Sequence, residues 1–329
     1  MGLRQGVIAG VLLVCVATVA SADNHVGDKP DEAPQDTATP TPIDADPAPS
    51  RFGAPGVDEA YGAFQRGLYL TARNLAVPRA EAGDGAAMTL LAEIYTRGLG
   101  VPVDRKKAEA YYRQAANLGV TEAEFRFGLI LLRRAEDRDG QRIAAEWMKR
   151  AADKGHARAQ FNYAQALATL RPGTSGRMEA LEYFERAAKQ DIADAQFALA
   201  KAYLEGTTSR AADAIEARMW MEEAARANFV AAQVEYGAML VDGIGGPKDV
   251  ARGFGWVLQA ARSGSAEGQL IVSQLYRAGI GVEPDSLEAA AWYVMARRSG
   301  ARVPIMEDFW LGLSDETQRS AIARANTLI

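Results

Sequence analysis

Apolar and polar positions recur between Asp84 and Gly300 with a period of 36 residues, six times over. The segments run Asp84–Gly119, Val120–Gly155, His156–Asp191, Ile192–Asn228, Phe229–Gly264 and Ser265–Gly300, the fourth being one residue longer. Near the end of each stands an aromatic residue (Tyr111, Trp147, Tyr183, Trp220, Trp256, Trp292), followed four positions later by Ala115, Ala151, Ala187, Ala224, Ala260 and Ala296. Earlier in each segment a small residue recurs as Ala87, Ala123, Ala159, Ala195, Ala232 and Gly268. It is followed at the same spacing by Leu91, Phe127, Tyr163, Leu199, Tyr236 and Val272, and then by Tyr95, Leu131, Leu167, Tyr203, Leu240 and Tyr276. Spacings of four put residues on one helical face, so each repeat predicts two amphipathic helices with different apolar stripes.

Turn chemistry marks the same boundaries. Gly98-Leu99-Gly100, Gly243-Ile244-Gly245 and Gly279-Ile280-Gly281 end the first helix of the first, fifth and sixth repeats, where glycine supplies a left-handed closing residue. Asp104, Asp213, Asp249 and Asp285 then stand where the second helix begins, as side-chain caps for free backbone N–H groups. The fold class expected is all-α, an α-solenoid of tandem helix-turn-helix repeats. A solenoid exposes its apolar interior at both ends unless it is covered. Residues 57–83 fit an N-terminal helical cap, with Ala60, Phe64, Leu68 and Leu70 apolar and Pro78 kinking or delaying its second helix; residues 301–329 fit a C-terminal cap, with Ser314 opening the last helix.

The amino-terminal residues follow different rules. Arg4, an apolar run from Val7 to Ala20 and the small residues Ala20-Ser21-Ala22 read as a secretory signal peptide over residues 1–22. The expected location is periplasmic after cleavage, with no membrane insertion thereafter. The alternative is an inner-membrane tether through the uncleaved segment, although that run is short of the roughly 20 residues needed to span a bilayer. Cys15 is the only cysteine, so the mature chain would hold by packing without disulfides. Residues 23–56 carry seven of the 13 prolines and seven acids against Lys29 and Arg51, the composition of a disordered acidic tether. The whole chain has a net charge of −5, and nearly all of that excess lies in this segment. The repeats are therefore close to neutral, which argues against a nucleic-acid partner.

An inventory of reactive side chains yields no catalytic constellation. His25 falls in the acidic segment and His156 opens the third repeat, neither with a partner visible in sequence, and no histidine pair or nucleophile elbow occurs. The glycine-rich loops follow helices, whereas a phosphate loop follows a strand. No catalytic residue, metal ligand or cofactor is expected. The aromatic column is expected to be core, with Trp220 or Trp256 truncated to Ala costing about 3–5 kcal/mol.

Ala159-Gln160-Phe161, Ala195-Gln196-Phe197, the Gly-x-Gly loops with their following Asp, and the Trp or Tyr before Ala-Ala and Gly carry a resemblance to the Sel-one-like repeat family, relatives of the tetratricopeptide repeat. The resemblance spans Asp84 to Gly300, although the second, third and fourth repeats lack the Gly-x-Gly loop. It implies a scaffold, adaptor or regulator that binds a protein or peptide on its concave surface, in settings such as envelope signalling or polysaccharide machinery. It also implies that Phe125, Phe161 and Phe197 lie at the edge of that surface, beside Arg97, Arg133, Gln165, Lys201 and Gln274. The competing classes are a cell-wall-acting hydrolase, suggested by cysteine-rich relatives of the family linked to β-lactam binding whose paired cysteines this chain lacks, and a carbohydrate-binding module, which needs exposed aromatic rings.

Overall fold

The computed structural model describes residues 58–206 and 212–328; the signal-like segment 1–22, the acidic segment 23–56 with residue 57, residues 207–211 of the fourth repeat's loop and residue 329 lie outside the described residues. Among the described residues there are 16 helices and no strands. Those of residues 58–183 are α1 (Glu59–Gln65), α2 (Tyr69–Glu81), α3 (Gly85–Arg97), α4 (Arg105–Asn117), α5 (Thr121–Arg134), α6 (Arg138–Asp153) and α7 (Ala157–Leu170), followed by α8 (Thr174–Ala188). Then come α9 (Ala193–Glu205), α10 (Ala214–Arg226), α11 (Val230–Asp242), α12 (Val250–Arg262), α13 (Ala266–Ala278), α14 (Ser286–Arg298), α15 (Pro304–Leu311) and α16 (Asp315–Ala325). The six repeats are the pairs from α3/α4 to α13/α14, and the architecture is an α-solenoid of tandem helix pairs.

The chain divides into two compact units, one ending at Tyr183 and the other beginning at Phe184. In the first, Leu91, Ile94, Tyr95, Tyr112 and Phe127 form a core with Ala60, Ala72 and Ala76 of the amino-terminal hairpin. In the second, Met221, Tyr236 and Leu240 pack around Ala217, Ala224 and Ala225, while Trp310 and Met306 of α15 pack with Tyr293, Ala321 and Ala325. The small alanine columns are what let these helices approach, and the large residues of neighbouring repeats fill the space between.

The helix ends explain the turn residues. Asp104, Asp213, Asp249 and Asp285 all accept backbone N–H groups at the starts of α4, α10, α12 and α14, with bonds of 2.8–3.1 Å. Asp137 does the same for α6, from Gly140 N at 2.7 Å, although its loop lacks the glycines of the other repeats. Gly98 closes α3 in the left-handed region at φ 70°. Asp191 and Asn228 end the third and fourth repeats with φ of 60° and 62°, where the other repeats carry glycine. Replacing Asp191 by Gly is expected to raise stability by up to about 1 kcal/mol, read as a higher denaturation midpoint, because it relieves a conformation that L-residues resist.

Two expectations are corrected. Pro78 does not delay its helix, since α2 starts at Tyr69 and runs to Glu81 with Pro78 inside it. The buried stripe of that helix is Ala72, Ala76 and Ala80, while Leu70 is about half exposed. The aromatic column is also uneven: Tyr183 and Trp292 are buried, but Trp220 and Trp256 are only half-buried. Trp256 packs T-shaped against Tyr236 with ring centroids 5.7 Å apart, and because its own ring is only half-buried its truncation costs less than full burial implies.

Candidate functional site

The recurring Gln of the resemblance motif has a structural task. Gln160, Gln196, Gln233 and Gln269 are buried, and each donates from Nε2 to the carbonyl eight residues earlier, of Ala152, Ala188, Ala225 and Ala261 respectively, at 3.2–3.3 Å. Those carbonyls end the preceding second helices, where helix geometry supplies too few donors. The side chain thus staples one repeat to the next. In the second repeat Glu124 takes this place, fully buried, with Lys154 Nζ donating to Oε2 at 2.8 Å and Arg150 beside Oε1 at 2.9 Å. The Arg150 contact is an ion pair without hydrogen-bond alignment, since Oε1 has no aligned donor.

The Phe column on the first helices is engaged by the next repeat. Phe125 is buried, its ring 4.6 Å from that of His156, so it offers a partner no surface. Phe197 is half-buried and lies 5.1 Å from Phe229. The residue opening a repeat therefore packs on the Phe of the repeat before. Phe161 is also half-buried. Of the polar set, Arg97 is exposed and lies 3.5 Å from Glu93, Lys201 pairs with Glu235 at 3.0 Å, Arg133 and Gln165 are exposed, and Gln274 is half-buried.

His156 is not without a partner, contrary to its appearance in sequence. Its Nδ1 accepts from the backbone N–H of Ala159 at 3.1 Å, capping α7, and its Nε2 lies 2.8 Å from Glu122 Oε2. Because Nδ1 accepts, the proton belongs on Nε2, which donates to the carboxylate. The hydrogen bond from His156 holds the Glu122 carboxyl down to about 2, against burial that raises it and with help from Arg126 at 2.6 Å. The stabilisation that Glu122 supplies is thus full above its ordinary 4.5 and is lost as pH falls toward 2.

A cavity of about 340 Å³ opens in this region of the first unit. Its lining comes from α1 and its cap residue (Asp58, Tyr61, Phe64), from α3 (Ala86, Thr89, Leu90, Glu93), from Tyr112 of α4, and from α5 with its cap residue (Val120, Glu122, Arg126). Tyr112 donates to Glu93 Oε2 at 3.0 Å, and burial together with the Glu93 charge pushes its phenol up. None of the eight residues singled out from sequence lines this cavity, although Thr89 is the first-repeat member of the Phe column. Tyr61 and Phe64 could not be read as lining residues, because the amino-terminal hairpin lies outside the repeat and carries no column to compare. A second cleft, about 280 Å³, has arginines already committed: Arg138 donates to the Leu170 carbonyl at 2.7 Å and Arg142 lies 3.6 Å from Asp139.

Among the described residues, no three His, Cys, Asp or Glu side chains are grouped to hold a metal, and no helix is long and apolar enough to cross a membrane. The chain belongs to the Sel1 repeat family, whose model matches residues 85–120, 121–156, 157–192, 193–229, 230–265 and 266–300. These units are in step with the helix pairs. The crystal structure of a protective antigen present in uropathogenic Escherichia coli strains, displaying an SLR fold, is similar over 82% of this chain, with 23% identity and a TM-score of 0.68. This chain spans 61% of that longer protein. A Sel1 repeat protein from Oxalobacter formigenes is similar over 73% of this chain and 98% of its own, with 25% identity and a TM-score of 0.62. Comparison with curated proteins finds no match. Sel1 repeat proteins typically mediate protein–protein interaction.

Proposed function

We propose that the chain is an exported scaffold, an adaptor or regulator that binds a protein or peptide through its first-helix faces and performs no chemistry of its own. Six consecutive Sel1 repeats over residues 85–300 are the observation that carries this reading. The polar residues that recur support it further, because they are spent on structure: the Asp residues cap helices and the Gln residues bond to carbonyls of the preceding repeat. Export rests on the charged start, apolar run and small residues of positions 1–22, and the setting it favours is the bacterial envelope.

Crosslinking in intact cells, followed by purification of the chain and mass spectrometry, tests both parts. The mature chain is expected to begin at Asp23 and to bring down one specific partner. Replacing Phe161 and Phe197 together by Ala is expected to cut recovery about tenfold or more while helical circular dichroism is retained, because aromatic anchors dominate such contacts. Unchanged recovery by a helical double variant would place the contact elsewhere.

A further inference from the structure

We propose that the chain's own acidic segment, through Ile43-Asp44-Ala45-Asp46, seats on a basic face formed by the amino-terminal ends of α2 and α4. Both are second helices of their pairs, so the segment is held away from the first-helix faces and leaves them to a partner.

The face is made of cations to which the fold gives no carboxylate. Arg73 Nε of α2 donates to the Tyr95 hydroxyl at 3.1 Å, and the Lys107 ammonium of α4 lies 4.6 Å from the centre of the same ring. Two cations from different helices thus converge on one phenol. Burial raises the Tyr95 hydroxyl, but hydrogen bonds from Arg73 and Lys107 bring it below its ordinary 10. Neither cation is ion-paired among the described residues, and the exposed Arg105 and Lys106 beside them are not either. Asp104, which precedes this run, spends Oδ1 on the Lys107 backbone N–H at 2.9 Å. Arg105, Lys106 and Lys107 also fill the first turn of α4, which holds no acidic residue, where a helix already carries partial positive charge. Helix stability would favour acids there, so an anion from elsewhere in the protein relieves a repulsion that the helix cannot relieve itself.

Apolar surface adjoins the cations. Leu70 is 49% exposed one turn before Arg73 on α2, and Val103 is 55% exposed just before α4. The two are joined through one loop, since a Cβ at Gly100 would stand 3.3 Å from Leu70 Cγ. The matching sequence is Ile43 with Asp44 and Asp46, one large apolar side chain beside two carboxylates, within a segment of net charge −5. Pro40, Pro42, Pro47 and Pro49 flank it and lower the chain entropy lost on seating.

The attachment point allows the contact. Asp46 precedes Asp58 by twelve residues, which reach up to about 40 Å when extended. Asp58 is fixed by Arg79 at 2.6 Å, and Arg79 stands six residues, or about 9 Å, along α2 from Arg73. A segment tethered this closely has an effective concentration of millimolar order, which favours it over a free anion of the same chemistry.

The test uses the full chain with Cys15→Ser, in which Ala45→Cys supplies the sole thiol for a benzophenone label. On irradiation, adducts mapped by mass spectrometry are expected to fall at residues 69–107 about tenfold more often than elsewhere. Arg105→Glu with Lys106→Glu is expected to cut their yield about tenfold, and so is salt near 1 M, where charges are screened within about 3 Å. Both replacements suit a helix start, and circular dichroism checks that helix is retained. Adducts spread evenly along the chain, an unchanged yield in the double variant, or adducts only between isotope-distinguished chains would overturn the proposal. So would sedimentation of the parent chain with phosphatidylglycerol vesicles at 0.15 M salt that the double variant loses, because the face would then belong to a membrane surface.

Discussion

Trp292→Ala is expected to remove about 3–5 kcal/mol of stability, the largest loss from any single truncation in the aromatic column. Trp292 is 1% exposed and belongs to the cluster with Val257, Leu275 and Val272, so its deletion leaves a cavity that rigid helices can only partly close. Trp220 and Trp256 stand at the same place in their repeats but remain half-buried, and their truncation is expected to cost about 1–3 kcal/mol. Trp292 also carries a buried indole N–H with no acceptor among the described residues. Trp292→Phe removes that unpaired donor together with some volume, so it should be far milder than the alanine change. Denaturant unfolding of the three alanine variants and Trp292→Phe checks the order. Similar losses at Trp292 and Trp256 would contradict it.

The second large effect is expected from stranding Glu124. Replacing Arg150 and Lys154 together by Ala leaves a fully buried carboxylate without its counter-ions, at a cost of about 3–5 kcal/mol near neutral pH. Glu124→Gln is expected to behave differently. It restores the residue found at this place in the next four repeats, whose amides bond to the carbonyl eight residues earlier, which for position 124 is that of Ala116. The Ala152 carbonyl already accepts both Gln160 and the Gly155 N–H, so the Gly119 N–H on Ala116 need not be displaced. Thermal melts of the two variants near neutral pH measure the difference. A double alanine variant as stable as Glu124→Gln would show that the buried charge is not held in place by those two cations.

The repeat units were legible in sequence because packing within a helix pair has a fixed spacing. Ala115, Ala151 and Ala187 recur at 36, the residues four apart share faces, and Asp104 or Asp285 must cap a helix wherever it starts. What was not legible depends on lateral distance between repeats, which spacing does not encode. Phe125 looked like one rung of a ladder, yet the opening residue of the next repeat, His156, closes over it. His156 looked solitary because its partners, Glu122 and its own helix N-terminus, are reached by a turn in space rather than by a motif. Pro78 was expected to kink or delay its helix, but the helix starts at Tyr69, nine residues before it, and its buried alanines pack the hairpin on α3. The cavity was invisible for a related reason: it joins a segment outside the repeat period to charges that occupy no column.

Photo-crosslinking in intact cells is the sharpest check on contact with a partner protein through the first-helix faces. A photoreactive phenylalanine analogue is placed in turn at Tyr61 and Phe161, on first helices, and at Ile215, which is 72% exposed on the second helix α10. A common protein adduct is expected from Tyr61 and Phe161 and none from Ile215. Adducts from Ile215 alone would contradict it.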